Sequence, residues 1–276
     1  MAKPDGPVVR EEVWRLARGA LSREEAHVIV EEPLQIVVDG VPYAALMRTP
    51  GADLELAAGF CLAEGLIEGP QELGSIQHCE LEAADQVAVT RSGRRAAEAI
   101  ARPARLTSGT SCGLCGRELV EDVFRRTEPI TRACRIPLAS LLSWGERLRD
   151  AQRYFGPTGG THAAALFGEE GELLAAAEDV GRHNALDKAI GRLLLADRLG
   201  EACAAMLSGR VSFEMVQKAA RAGIPVVAGL SAPTHLAIQL ARRIGLTLVG
   251  FVRQDSLTVY TDAGRITDLP HIAQAG

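Results

Sequence analysis

The chain has 276 residues, 47% of them hydrophobic, with 30 Lys and Arg against 35 Asp and Glu for a net charge of −5, and six cysteines. At roughly 150 residues per domain this is one large domain or two modest ones, with volume for a core that needs no disulfide staples. The mild acidity and the lack of a long Lys/Arg run exclude a general binder of nucleic acid or of anionic membranes.

Residues 1–26 are charged and show no clear strand pattern, so they are expected to form a flexible N-terminal arm. Asp5, Glu11 and Glu12 interrupt the apolar run that an export signal requires. No stretch approaches the ~18 consecutive apolar residues of a membrane span. The expected location is the cytoplasm, where thiols stay reduced and cysteines are read for chemistry or burial.

A small α+β domain is expected over residues 27–106. Apolar and polar residues alternate from His27 onward, and Asp39-Gly40 supplies a tight hairpin turn between two strand-like runs. Asp53 is placed as the cap of a helix reaching about Gly65, with Leu54, Ala57, Ala58, Cys61 and Leu62 on its inner side. Strands follow around 76–81 and 86–90. Residues 107–136 are then expected to be a linker carrying a Cys-x-x-Cys loop, small, polar and glycine-rich, with neither helical nor strand period. From 137 to 276 helices and strands alternate. Helices are predicted over 138–154, 184–194, 213–222 and 234–244, with strands at 163–167, 173–177, 204–207, 225–228, 247–251 and 258–261. That rhythm indicates an α/β layered sheet covered on both faces.

Cys112-Gly113-Leu114-Cys115 is the sharpest local signal. A structural zinc site needs four ligands, and the sequence has no second Cys or His pair of this kind. A thioredoxin-like pair follows a strand and opens a helix that lowers the thiol pKa, whereas a polar loop precedes Cys112. Gly109, Gly113 and Gly116 favour movement, which suits a thiol that visits two partners, taking up a sulfane sulfur as a persulfide and passing it on. The spacing alone leaves metal binding, redox exchange and sulfur carriage open. Cys61 and Cys203 read as buried core, and Cys79 as structural.

Two strand-to-helix junctions, Glu178–Lys188 with Arg182 and His183, and Ser208–Lys218 with Gly209 and Arg210, have the form of anion sites at the carboxyl edge of a parallel sheet. The plain alternative is capping by Asp179 and Ser208 beside solvated arginines. His162, after the pair Gly159-Gly160, reads as a hydrogen-bonded structural residue. The strand end Phe251-Val252-Arg253-Gln254-Asp255-Ser256 suits a purine, with Phe251 stacking and Asp255 on the base edge. The alternative is that Phe251 is core.

Together the segments SCGLCG (111–116), GGTHAAAL (159–166), EDVGRHNALDKAIG (178–191), SGRVSFEMVQKAARAGIPV (208–226), LSAPTHLA (230–237) and TLVGFVR (247–253) resemble the FdhD family of sulfur carriers, from about residue 27 to 262. The resemblance implies a sulfurtransferase whose first loop cysteine, Cys112, is loaded by a cysteine desulfurase. It implies delivery to the molybdenum bis(molybdopterin guanine dinucleotide) cofactor before insertion into formate dehydrogenase, and a homodimer. Cys115 then assists transfer or closes a disulfide with Cys112. The family's cofactor stretch maps onto Phe251–Ser256, where a GDP-like nucleotide also fits, and Arg182, His183, Ser208, Gly209 and Arg210 line the anionic part. Ser256 and His235 stand where the family carries Arg and a small Ser. The implied fold is a three-layer cytidine-deaminase-like domain with a mixed sheet over 137–276, next to the small α+β domain. Deaminase zinc chemistry needs H-x-E and P-C-x-x-C at two helix starts. Here those starts read His183-Asn184-Ala185 and Ser208-Gly209-Arg210, so no metal is expected. The rival readings are a cofactor-binding chaperone without sulfur transfer and a Cys-x-x-Cys thiol-disulfide oxidoreductase.

Overall fold

The structure is a computed structural model that describes residues 6–80, 85–93 and 127–269. Cys112, Cys115 and the loop that carries them lie outside the described residues.

The segment predicted to lack strands forms a hairpin of β1 (Val8–Ala17) and β2 (Ala20–Ile29), paired over ten rungs. Arg18 and Gly19 both take positive φ, 51° and 80°, which matches the right-handed twist of a two-residue hairpin turn. The usual Asn-Gly or Asp-Gly signal is missing there, and charges at both inward and outward positions hide the alternation. Asp39-Gly40 does carry that signal, and it joins β3 (Glu32–Val38) to β4 (Val41–Arg48) with φ of 50° and 79°.

β5 (Leu73–Glu80) and β6 (Asp85–Arg91) complete a four-stranded sheet in the order β4-β3-β6-β5, with β3 and β6 parallel. Between β4 and β5 lies α1 (Asp53–Ala63). Asp53 does not cap it: the cap position is Ala52, in left-handed conformation at φ 55° without a side-chain bond. The Asp53 carboxylate is instead engaged by Arg48 at 3.0 Å.

After β7 (Ile136–Pro137) come α2 (Leu138–Asp150) and the one-turn α3 (Phe155–Thr158). The single helix predicted over 138–154 stops at Asp150, where the last turn tightens: Ala151 N–H donates to Arg147 O at 3.2 Å and Gln152 N–H to Arg149 O at 3.0 Å. Next in chain order are β8 (His162–Phe167), β9 (Leu173–Asp179), α4 (Arg182–Leu195), β10 (Ala204–Leu207), α5 (Phe213–Arg221), β11 (Val226–Gly229), α6 (His235–Ile244), β12 (Thr247–Gly250), β13 (Thr258–Thr261) and β14 (Ile266–Thr267).

Six of these strands form a mixed sheet ordered β13-β12-β11-β10-β8-β9, in which β10, β11 and β12 run parallel. Alternate residues sort cleanly onto its two faces. Ala163, Ala165, Phe167, Met206, Ala228 and Val249 pack with Leu141, Trp144 and Leu148 of α2. Ala164, Leu166, Leu207, Val227 and Leu248 pack with α4, α5 and α6. Both faces are therefore dry, which explains the nearly continuous apolar runs of these strands.

The second core continues without a break into Leu34, Ile36 and Val38 of β3 and Leu56, Ala57 and Cys61 of α1. The junction is the crossing of α1 over α4, where backbones touch at two glycines. A Cβ on Gly59 would lie 2.0 Å from the Asp187 carbonyl oxygen, and one on Gly191 would lie 1.8 Å from that of Glu55.

Candidate functional site

Three loops leave the carboxyl ends of β10, β11 and β12 side by side. Val211 N–H donates to Ala232 O at 3.1 Å, and Thr234 N–H returns to Val211 O at 2.9 Å. Val252 N–H donates to Gly229 O at 3.1 Å. Because β8 runs antiparallel to β10, its first residue, His162, emerges at the same edge. This carboxyl edge is where ligands of open α/β sheets bind.

Arg182, His183, Ser208 and Gly209 meet around His162. The ring lies so close to Gly209 that a Cβ there would be 3.2 Å from Nδ1 of His162 and 3.7 Å from Cδ of Arg182. Ser208 Oγ accepts from Ala163 N–H at 2.9 Å, so it ties the edge together and does not cap α5. The cap positions are Gly181 for α4 and Ser212 for α5, and no described side chain caps either helix start. Arg182 Nε and Ser212 Oγ are buried and have no hydrogen-bond partner among the described residues. Buried donors of this kind are costly to leave unpaired, and two helix starts add their partial positive charge. The chemistry of this corner is that of a receptor for an oxyanion. Arg210 is exposed beside it.

The titrating groups follow from this environment. Burial, then Arg182 and His183, hold the His162 pKa below the ordinary imidazole value. His183 Nε2 lies 2.6 Å from Glu214 Oε2, linking the starts of α4 and α5. That hydrogen bond holds the Glu214 carboxyl below its usual range.

A buried network fixes the turn that presents Arg182. Asp179 Oδ1 accepts from Gly181 N–H at 2.8 Å and from Asn184 Nδ2 at 2.9 Å. Its Oδ2 accepts from Thr49 N–H at 3.1 Å and pairs with Lys188 Nζ at 2.7 Å. Lys188 also donates to Thr49 O at 2.7 Å. Asp179 therefore anchors the end of β4 to the start of α4, and the alternative of a helix cap does not describe it. On the other side of α4, Lys218 Nζ binds both oxygens of Asp187 at 2.8 and 2.7 Å.

The stretch from 251 to 256 forms a second group. Phe251 is 44% exposed and sits in left-handed conformation at φ 53°, so it is neither core nor relaxed backbone. Val252, Arg253, Gln254 and Asp255 line a cavity of about 610 Å³, closed on the other side by Leu142, Gly145, Glu146 and Arg149 of α2. That volume is in the range of sites for nucleotide-sized molecules. Arg253 Nη1 donates to Leu230 O at 2.8 Å, and Gln254 Nε2 donates to Glu146 Oε1. Ser256 Oγ bonds only its neighbour Asp255 among the described residues, at 3.1 Å.

The structure thus divides the predicted residues between two stations on one edge, with the loop of 229–234 between them. The α2 residues escaped the sequence reading, although Leu142, Gly145, Glu146 and Arg149 have the i, i+3, i+4, i+7 spacing of one helix face.

Cys61, Cys134 and Cys203 are buried in the two cores. Burial pushes the thiols of Cys61 and Cys134 up to about 12 and that of Cys203 upward as well. Asp53, His78 and Asp85 bring ligand atoms within 4.8 Å of one another. The buried Arg48 guanidinium already compensates the two carboxylates, at 3.0 Å from Asp53 and 2.5 Å from Asp85. Among the described residues no helix is long and apolar enough to cross a membrane.

Fold and site define an α/β protein with a mixed sheet whose parallel strands end at a cationic edge. Residues 29–267 match the model of the FdhD/NarQ family, and the chain belongs to that family. It is 42% identical to the sulfur carrier protein FdhD of Anaeromyxobacter dehalogenans, over 96% of each chain. It is 45% identical to the protein of that name from Streptomyces avermitilis, over 93% of this chain and 95% of the relative. A crystal structure from Desulfotalea psychrophila, described as that of a formate dehydrogenase accessory protein, superposes with a TM-score of 0.76 at 26% identity, covering 94% of this chain and 99% of the other.

Proposed function

We propose that this protein is a sulfurtransferase that carries sulfur for the maturation of formate dehydrogenase. Cys112 accepts sulfur as a persulfide when its thiolate attacks the persulfide of a cysteine desulfurase, whose cysteine leaves as a thiolate. The terminal sulfur then passes to the molybdenum bis(molybdopterin guanine dinucleotide) cofactor, the substrate, before its insertion into formate dehydrogenase. Cys115 acts beside Cys112, either assisting transfer or attacking Sγ of the Cys112 persulfide, so that the S–S bond to the terminal sulfur breaks, sulfide leaves to the cofactor and a Cys112–Cys115 disulfide forms.

The observation that carries the substrate half of this reading is the pair of buried donors, Arg182 Nε and Ser212 Oγ, that have no partner among the described residues, at an edge where two helices begin. A pyrophosphate satisfies such donors, while the Val252–Asp255 cavity takes a flat base of the GDP type beside exposed Phe251. Helices on both faces of a mixed sheet fit the cytidine-deaminase layering, with the nucleotide at the edge that zinc occupies in deaminases. The names borne by the relatives, sulfur carrier and formate dehydrogenase accessory protein, support the sulfur half.

The test is maturation in cells that lack the endogenous protein. Wild type should restore formate dehydrogenase activity and Cys112→Ala should not, although the variant accumulates normally. Restoration by Cys112→Ala would instead identify a cofactor chaperone.

A further inference from the structure

His162 lies at the centre of the anion corner, half-buried at the first position of β8. Its imidazole is uncommitted: neither ring nitrogen has a hydrogen-bond partner among the described residues. The plain reading of a hydrogen-bonded structural ring therefore does not describe it. A polar group that is shielded from water and left without a partner calls for an explanation.

The groups packed around the ring are engaged elsewhere. Asp179, its cross-strand partner on β9, is balanced by Lys188 and holds the turn before α4. Ser208 Oγ takes the N–H of Ala163. His183 of α4 is bonded to Glu214 of α5 at 2.6 Å, and Arg210 is exposed beside them. Arg182 of α4 is the exception, since it forms no salt bridge among the described residues. Between Arg182 and the ring stands Gly209. A Cβ there would lie 3.2 Å from Nδ1 and 3.3 Å from Cε1 of His162, so any side chain at 209 would close over that nitrogen.

We propose that His162 is a ligand of the bound oxyanion and takes up a proton as the anion arrives, so that binding at this corner is coupled to protonation. The inference rests on reading the corner as the seat of the substrate's pyrophosphate. In the free protein, burial and then the charges of Arg182 and His183 disfavour the protonated ring, with Asp179 acting weakly the other way. An oxyanion held by Arg182 offsets that field and offers an acceptor for the new N–H, in a charge-assisted hydrogen bond. The proton comes from solvent and joins a ring nitrogen; no other bond forms or breaks. By reciprocity the proton favours the anion as much as the anion favours the proton. The contribution of His162 to affinity should therefore fall as pH rises, by at most about tenfold per pH unit.

Calorimetry of GDP binding to the full chain in two buffers of different ionisation enthalpy, at about pH 6.5, counts the protons taken up. The terminal phosphate of GDP titrates in the same range and contributes in every variant, so the readout is the difference between proteins. Wild type should take up more than His162→Gln, by up to about one proton, and His183→Gln should retain that excess. Independently of any variant, the Cε1–H resonance of His162 in wild type should titrate at a higher pH with GDP bound than without. GDP binding with equal proton counts in wild type and His162→Gln, an excess lost only in His183→Gln, or a His162 midpoint that GDP leaves in place would overturn the proposal and leave the anion corner standing. A wild type that binds no GDP at any pH would overturn both.

Discussion

Arg182 is the residue on which the electrostatics of the edge converge: its Nε is buried without an acceptor among the described residues, and its side chain lies against Gly209 and His162. A charge-assisted hydrogen bond is worth about 1.5–3 kcal/mol, so Arg182→Ala should weaken GDP binding by roughly tenfold or more, read by calorimetry, with little change in melting temperature. His162 has a different signature. Its folded-state pKa lies below the unfolded value, so the native state prefers the neutral ring. That contribution to stability is full above about pH 6.5 and is lost as pH falls through the lower, folded value. The melting temperature of wild type should drop across that acid window, and His162→Gln should flatten the slope. Arg182, His183, Ser208 and Gly209 were legible in the sequence because a glycine between strand and helix, next to a cation, marks an anion corner wherever it occurs. The contact of His162 with Gly209 depends on β8 lying antiparallel to β10, and the part of Glu146 and Arg149 depends on which face α2 turns to the sheet. Neither is encoded in local spacing.

Among the elements, the crossing of α1 over α4 is the tightest contact in the core. At Gly59 and Gly191 any side chain would have to displace backbone carbonyl groups. Gly59→Ala or Gly191→Ala should therefore cost about 1–3 kcal/mol or more in urea unfolding, a penalty of overpacking, even though alanine is the better helix former. The helices and central strands after Pro137 were legible because β8, β10, β11 and β12 bury both faces and each helix keeps one stripe, which gives two separable periods. The N-terminal hairpin was not. It buries no face against the body, so apolar residues need not alternate, and its turn is Arg18-Gly19, a pair with no standing as a turn signal. The cap of α1 was misplaced for a related reason, since the Asp53 carboxylate serves Arg48 across the sheet and leaves the helix start to a strained Ala52.

At the scale of the whole molecule, a net charge of −5 coexists with a local cluster of cations at one sheet edge. Total charge had no means of revealing that edge, because two Asp–Lys pairs and the Arg48 group cancel within the interior. The shared core of the two sheets holds the end of β4 against the start of α4, so the corner around Arg182 is built by both parts of the chain. Cys61, Cys134 and Cys203 are buried with raised pKa values, which sets these three thiols apart as core residues. The most direct test is mass spectrometry of the intact protein after incubation with a cysteine desulfurase and cysteine. One added sulfur is expected on the native chain, removed by a reducing thiol and absent from Cys112→Ala; the full adduct persisting in Cys112→Ala would rule out Cys112 as the sulfur carrier.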